Sequence, residues 1–243
     1  MNGVAMMIDL GSADGRIIAA ALRLAAEKPW QDVSLRHIAE AAGVNLAELS
    51  DIFSSKSNVL KAFVRHVDKE VLVKAPAPQE GESQRDALFE VIMARFDVLQ
   101  PYKSALRSVA RSGEIELALI RPMLSSQAWM LQAAGIDSDG PAGAMRTAGL
   151  ASAYASVFRT WLEDDDPGLA RTMAVLDRKL RSGESVMAGL DGALGAARRL
   201  KDALRSGLRS SRPRETPDSG DEFGDGAGPG PGNAGAPSAG PAG

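Results

Sequence analysis

The stretch GVNLAELSDIFSSKS, Gly43 to Ser57, follows SLRHIAEAA, Ser34 to Ala42, and the residues framing it decide the fold. Gly43 suits the left-handed residue that closes a helix. Asn45 can cap the next one by accepting from a free first-turn amide. Leu46, Leu49 and Ile52 or Phe53 recur at helical spacing and form an inward face. Two short helices joined by a glycine turn have the shape of a helix-turn-helix. The contents of the second helix disagree with that shape: Gly43 to Phe53 carries Glu48 and Asp51 and no Lys or Arg. Affinity for nucleic acid rests largely on neutralising phosphates.

Working outward, apolar residues recur at helical steps almost everywhere, without the sustained alternation of a half-buried strand. The spacing predicts an all-α protein. A first helix covers about Asp14 to Glu27, with Ile17, Ile18, Ala21, Leu22, Leu24 and Ala25 inward, and Pro29 ends it. Ser34 caps a second helix, Leu35 to Ala42. A third runs from about Asn45 to Phe53, and a fourth from Ser57 to about Val73. KAPAPQEGES then marks a seam between two helical modules. Further helices are expected at roughly Gln84–Leu99, Pro101–Arg111, Glu114–Ala134, Pro141–Glu163 and Pro167–Leu180, with the three prolines in first turns, where a missing amide costs nothing. A last helix spans about Ser185 to Leu208. The tail from Arg212 has almost no bulky apolar residue to offset its ordering entropy and is expected to be disordered.

The 243 residues, 44% hydrophobic, suffice for one sizeable core or a core with a small appended domain. The boundaries read as 1–73, a helix-turn-helix module; 74–83, a linker; 84–183, a helical ligand-binding and dimerisation domain; 184–211, a basic amphipathic helix; and 212–243, the tail. There is no cysteine, which excludes disulfides and thiolate metal sites. No secretory leader is expected from MNGVAMMIDLGSADGR, and no segment reaches the roughly 20 apolar residues that span a bilayer. Cytoplasmic localisation follows as the expectation. The formal charge of −3 gives no overall pull toward nucleic acid, so any such pull is local. His37 and His66 have no companion ligands at metal-binding spacing. Neither a metal nor another cofactor is expected. No nucleophile elbow or phosphate-cradling glycine loop is present, so the sequence does not read as an enzyme.

RIIAAALRLAAEKPWQDVSLRHIAEAAGVNLAELSDIFSSKSNVLKAF, Arg16 to Phe63, resembles the N-terminal DNA-binding module of the TetR family of transcriptional regulators. The opening amphipathic helix, Trp30 after it, SLRHIAEAAGV, Leu49, Phe53 and SSKS before Val59 and Leu60 carry the likeness. The resemblance implies a homodimer that places two reading helices in successive major grooves of double-stranded operator DNA. It also implies a larger C-terminal domain that takes a small apolar or lipid-like ligand. Ser34 or Arg36 and Lys56 would then contact phosphates, while Asn45, Leu46, Ala47, Glu48 and Ser50 face base edges. Leu46 stands where the family commonly has Lys, and Ser50 where it commonly has Tyr. Glu48 can accept a hydrogen bond from cytosine. As ordinary surface residues, Arg36 and Lys56 would be solvated helix-end charges, and Asn45 only a cap.

In the C-terminal half, Phe89, Met93, Phe96, Leu117, Met123, Trp129, Met130, Tyr154, Phe158 and Trp161 suit the lining of a cavity between helices. The same pattern also suits plain core. AGAMRTAGLASAYASVFRTWL and PGLARTMAVLDRKL are the expected dimer face. Leu150 to Leu180, with the helix after it, is also similar to the lipid-binding accessory proteins of ubiquinone biosynthesis. That resemblance implies a TetR-like fold holding an isoprenoid and lying on a membrane without reading DNA. In the terminal helix Leu190, Leu194, Ala197, Leu204 and Leu208 line one face. Arg198, Arg199, Lys201, Arg205 and Arg209 supply positive charge. Such a helix either lies on an anionic membrane surface, at about 1 kcal/mol per basic residue, or packs its leucines on the body and leaves its arginines in water. The regulator is the leading reading, and the lipid-binding accessory protein the alternative.

Overall fold

Each helix start in the N-terminal third is fixed by a side chain that accepts from a first-turn amide. The computed structural model describes residues 8–113 and 117–183, together with Arg199. Helix α1 (Ala13–Glu27) begins at Ser12, whose hydroxyl accepts from Gly15 N at 3.2 Å. A side chain at Gly15 would collide with the Asp9 carbonyl, 1.9 Å from the position of a Cβ. The helix ends before Pro29, and a 3-10 turn, Trp30–Asp32, buries the Trp30 ring. Helix α2 (Leu35–Ala42) opens on a reciprocal cap in which Ser34 accepts from His37 N and His37 Nδ1 accepts from Ser34 N. Gly43 closes it at φ 68°, ψ 32°, the left-handed conformation expected there.

Helix α3 (Leu46–Ile52) is capped by Asn45, whose Oδ1 accepts from Glu48 N at 2.8 Å. Helices α4 (Lys56–Lys74) and α5 (Gln84–Leu99) start at Ser55 and Ser83, again serine caps. After a 3-10 turn at Gln100–Tyr102 come α6 (Lys103–Arg111), α7 (Leu117–Ala133), which holds Pro122 in its second turn, and α8 (Gly140–Glu163). A ninth helix, α9, covers 170–183. No strand occurs among the described residues, and the architecture is all-α as the periodicity predicts. The described helices α1–α9 lie within one compact unit.

Packing ties the N-terminal helices to those after the seam. Helix α1 packs on α2 and α6, and α4 packs on α7, α5 and α1. The residues between α4 and α5 are a connection on the surface of that one unit. Ile17, Ile18, Trp30, Ile38, Leu49 and Val59 are fully buried between α1 and α4. Deeper in the C-terminal helices the rings of Phe96, Tyr154, Phe158 and Trp161 form a continuous stack, with successive centroids 5.3–5.9 Å apart.

Three expectations change in detail. The inward face of α3 is Leu49 and Phe53, whereas Leu46 is 51% exposed and Ile52 39%. Leu46 is the first residue of its helix, and its side chain has no preceding turn to cover. Pro167 lies in a turn, not in the first turn of α9. There the Asp166 carboxylate accepts from Gly168 N and Ala170 N, and this starts the helix three residues later. Pro101 sits in the 3-10 turn, not in α6. The expected terminal helix and tail lie outside the described residues, apart from Arg199, which is helical and exposed.

Candidate nucleic-acid interface

The caps that build α2 and α3 also decide which polar atoms are left for a partner. Asn45, Leu46, Ala47 and Ser50 lie exposed on the outer side of α3, with Glu48 half-buried beside them. Asn45 spends its carbonyl oxygen on the cap, and the Ser50 hydroxyl donates back to Ala47 O at 2.8 Å. The Glu48 carboxylate stands 4.0 Å from the Arg16 guanidinium on α1. Glu48 therefore has a neighbouring cation after all, supplied from outside the helix-turn-helix. Asp51 is exposed.

The flanking cations are placed differently from one another. Arg36, largely exposed, pairs with Glu40 one turn on, at 3.0 Å. Ser34 is exposed, and its hydroxyl is held by the cap. Lys56 turns toward the protein: its ammonium donates to Trp30 O at 3.1 Å and lies 4.9 Å from the centre of the Trp30 ring. Arg23 is likewise spent on the Ala41 carbonyl.

Behind α4 lies a network that the sequence reading did not single out. Arg95 on α5 is buried; its Nη1 donates to Asp68 Oδ1 on α4 and its Nε to the Tyr154 hydroxyl at 3.1 Å. The Ser126 hydroxyl on α7 donates to Asp68 Oδ2 at 2.7 Å. Burial works against the Arg95 charge, but the Tyr154 hydroxyl and Asp68 outweigh it and hold the guanidinium more firmly protonated than usual. Burial pushes the Tyr154 phenol up, so it stays a neutral acceptor for Arg95. Four helices, α4, α5, α7 and α8, thus meet at one largely buried ion pair.

The residues expected to line a ligand cavity fall into two groups. Phe96, Met130, Tyr154 and Trp161 are buried in the core, and Phe89, Met93 and Phe158 are half-buried beside it. Trp129 is 48% exposed and Met123 also faces water. The Leu117 side chain lies outside the described residues. The concavities near α6 are bordered by other residues.

Helices α1 and α4, packed on each other and framing two short, capped helices of which the second has its outer side exposed, define a helix-turn-helix protein. Residues 17–63 match the family model of the bacterial regulatory proteins of the tetR family. The fold is that of TetR regulators of known structure. One from Nitrosomonas europaea ATCC 19718 is 22% identical with a TM-score of 0.57, over 71% of this chain and 98% of that one. One from Rhodococcus sp. RHA1 is 20% identical with a TM-score of 0.55, over 70% and 95%. Among curated proteins, none matches the sequence significantly. The resemblance of Leu150–Leu180 to lipid-binding accessory proteins has no counterpart among these relatives.

Proposed function

We propose that the protein is a ligand-responsive transcriptional regulator that binds operator DNA as a homodimer. The observation that carries this reading is the exposed outer side of α3, presented by a fully capped helix-turn-helix inside a segment that matches the tetR family model. In this reading Leu46 and Ala47 supply apolar contact to a thymine methyl group. Arg36, exposed at the start of α2, and the first-turn amides of α4 supply backbone contacts. Met145 on α8 and Met173 on α9 leave apolar surface in water, which supports pairing of two chains through those helices. The effector is a small apolar molecule admitted beside the aromatic stack, and the site of action is the cytoplasm. No helix among the described residues is long and apolar enough to cross a membrane.

Selection of genomic DNA fragments on the purified full-length protein tests the proposal. Retention of a small set of fragments sharing a palindrome, with half-sites about one helical turn apart, is the expected result. Uniform retention of all fragments, or of none at low salt, overturns it.

A further inference from the structure

The corner between α6 and the C-terminal end of α8 carries a charge arrangement that the helix-turn-helix does not use. On α6, Ser104, Arg107, Ser108, Arg111 and Ser112 recur at three- and four-residue steps and so share one face; Ala105 and Val109 are buried on the other. That polar face borders two concavities. One, of ≈ 480 Å³, extends to residues 25–31. The other, of ≈ 390 Å³, is closed by Arg159, Leu162, Glu163 and Asp165. Arg107 and Arg111 line both.

The carboxylates of the second concavity are already answered. Arg107 donates to Asp165 and to the Leu162 carbonyl, and it holds the Asp165 carboxyl below the usual range. Glu163 has Arg171 4.0 Å away. Arg111 and Arg159 are exposed and have neither a hydrogen bond nor an ion pair among the described residues. Two guanidinium groups without a partner among the described residues therefore border one concavity, with a serine-lined cleft beside it. A guanidinium is a planar fork of donors that matches the oxygens of a carboxylate or phosphate.

We propose that this corner binds a small organic anion through carboxylate or phosphate groups held by Arg111 and Arg159, with Arg107 as the shared wall. The site is separate from both the aromatic stack and the outer side of α3. It has a direct line to the DNA-reading module. The Ser108 hydroxyl, between Arg107 and Arg111 on the same face, accepts from Trp30 N at 2.9 Å and donates to Lys28 O at 3.1 Å. The binding itself does not depend on the regulator reading.

Isothermal titration of the full-length protein with citrate and with inorganic phosphate, without DNA and at ionic strength fixed by sodium chloride, tests it. Saturable binding of one equivalent per chain is expected. Preference for citrate identifies a polycarboxylate source and preference for phosphate a phosphate ester. Arg111→Gln and Arg159→Gln each weaken it about tenfold, and either variant alone suffices if the other folds poorly. Asp165→Asn, which removes the competing carboxylate charge from Arg107, strengthens it. Absence of saturable binding of both probes, or unchanged affinity in the arginine variants, overturns the proposal. So does a loss of duplex DNA binding in those variants with anion affinity intact, which assigns the arginines to the DNA backbone.

Discussion

The Lys56 ammonium is bound to the Trp30 carbonyl and rests against the Trp30 ring, so the first residue of α4 secures the turn that leads into α2. The ring itself is buried, and Ser108 of α6 holds the Trp30 amide from the other side. Lys56→Ala removes a charge-assisted hydrogen bond and a cation–π contact. A loss of about 1–2 kcal/mol is expected in urea unfolding. A change within about 0.5 kcal/mol, the usual size for a solvated surface lysine, would show that the contact does not hold the turn.

Glu48 and Arg16 give the acidic character of α3 a different meaning. The pair is partly exposed at 4.0 Å and contributes under about 1 kcal/mol to stability. Its consequence is electrostatic: the carboxylate occupies a cation next to α3. Glu48→Gln is expected to leave unfolding nearly unchanged while raising affinity for non-specific duplex several-fold. The slope of log affinity against log salt should steepen by about one phosphate contact. Measuring the salt dependence of fluorescence anisotropy on a random duplex checks both, and an unchanged slope would leave Arg16 without a role at the DNA.

The local features were legible because they are written in consecutive residues. Ser34, Gly43 and Asn45 act through their own backbone and immediate neighbours, and each adopts the conformation or cap its chemistry predicts. Contacts across the chain were not legible in the same way. Arg16 and Glu48 are far apart in sequence, and nothing near either residue announces the other. Lys56 has the same difficulty, because its partner Trp30 belongs to a different helix junction. The buried network had a readable trace that periodicity alone passes over. Asp68 sits among Val64, Val67 and Val71, and Arg95 among Val91, Ile92 and Phe96, so each places a charge within an apolar stripe. Two opposite charges placed that way imply one another. The aromatic residues of the C-terminal half were legible as packing residues, but the sequence does not separate a filled core from a lined cavity.

Breaking the Asp68–Arg95 pair tests that implication. Arg95 also reaches Tyr154, and Asp68 also accepts from Ser126. Arg95→Met leaves the largely buried Asp68 carboxylate without its cation, answered by the Ser126 hydroxyl, and is expected to cost about 3 kcal/mol. Asp68→Asn in the Arg95→Met background removes that stranded charge and should recover part of the loss. A double-mutant cycle by denaturant unfolding measures this, and simple additivity would mean that the two groups do not act as a pair.

Asp164 contributes to the pH dependence of the α8–α9 corner. Its carboxylate accepts from the Thr172 hydroxyl at 2.6 Å and from Thr172 N at 2.8 Å, and these bonds hold its pKa below the ordinary value. A carboxyl depressed in the folded state stabilises above its unfolded pKa, and that stability is lost as pH falls through the folded value. The wild-type melting temperature should therefore fall below about pH 4. Asp14, Asp86 and Asp165 shift in the same direction, so the comparison of wild type with variant isolates Asp164. Asp164→Asn should melt lower than wild type at pH 7, and the gap should narrow as the pH approaches 3. A gap that stays constant between pH 7 and pH 3 would assign the effect of the substitution to lost packing and not to the carboxylate's charge.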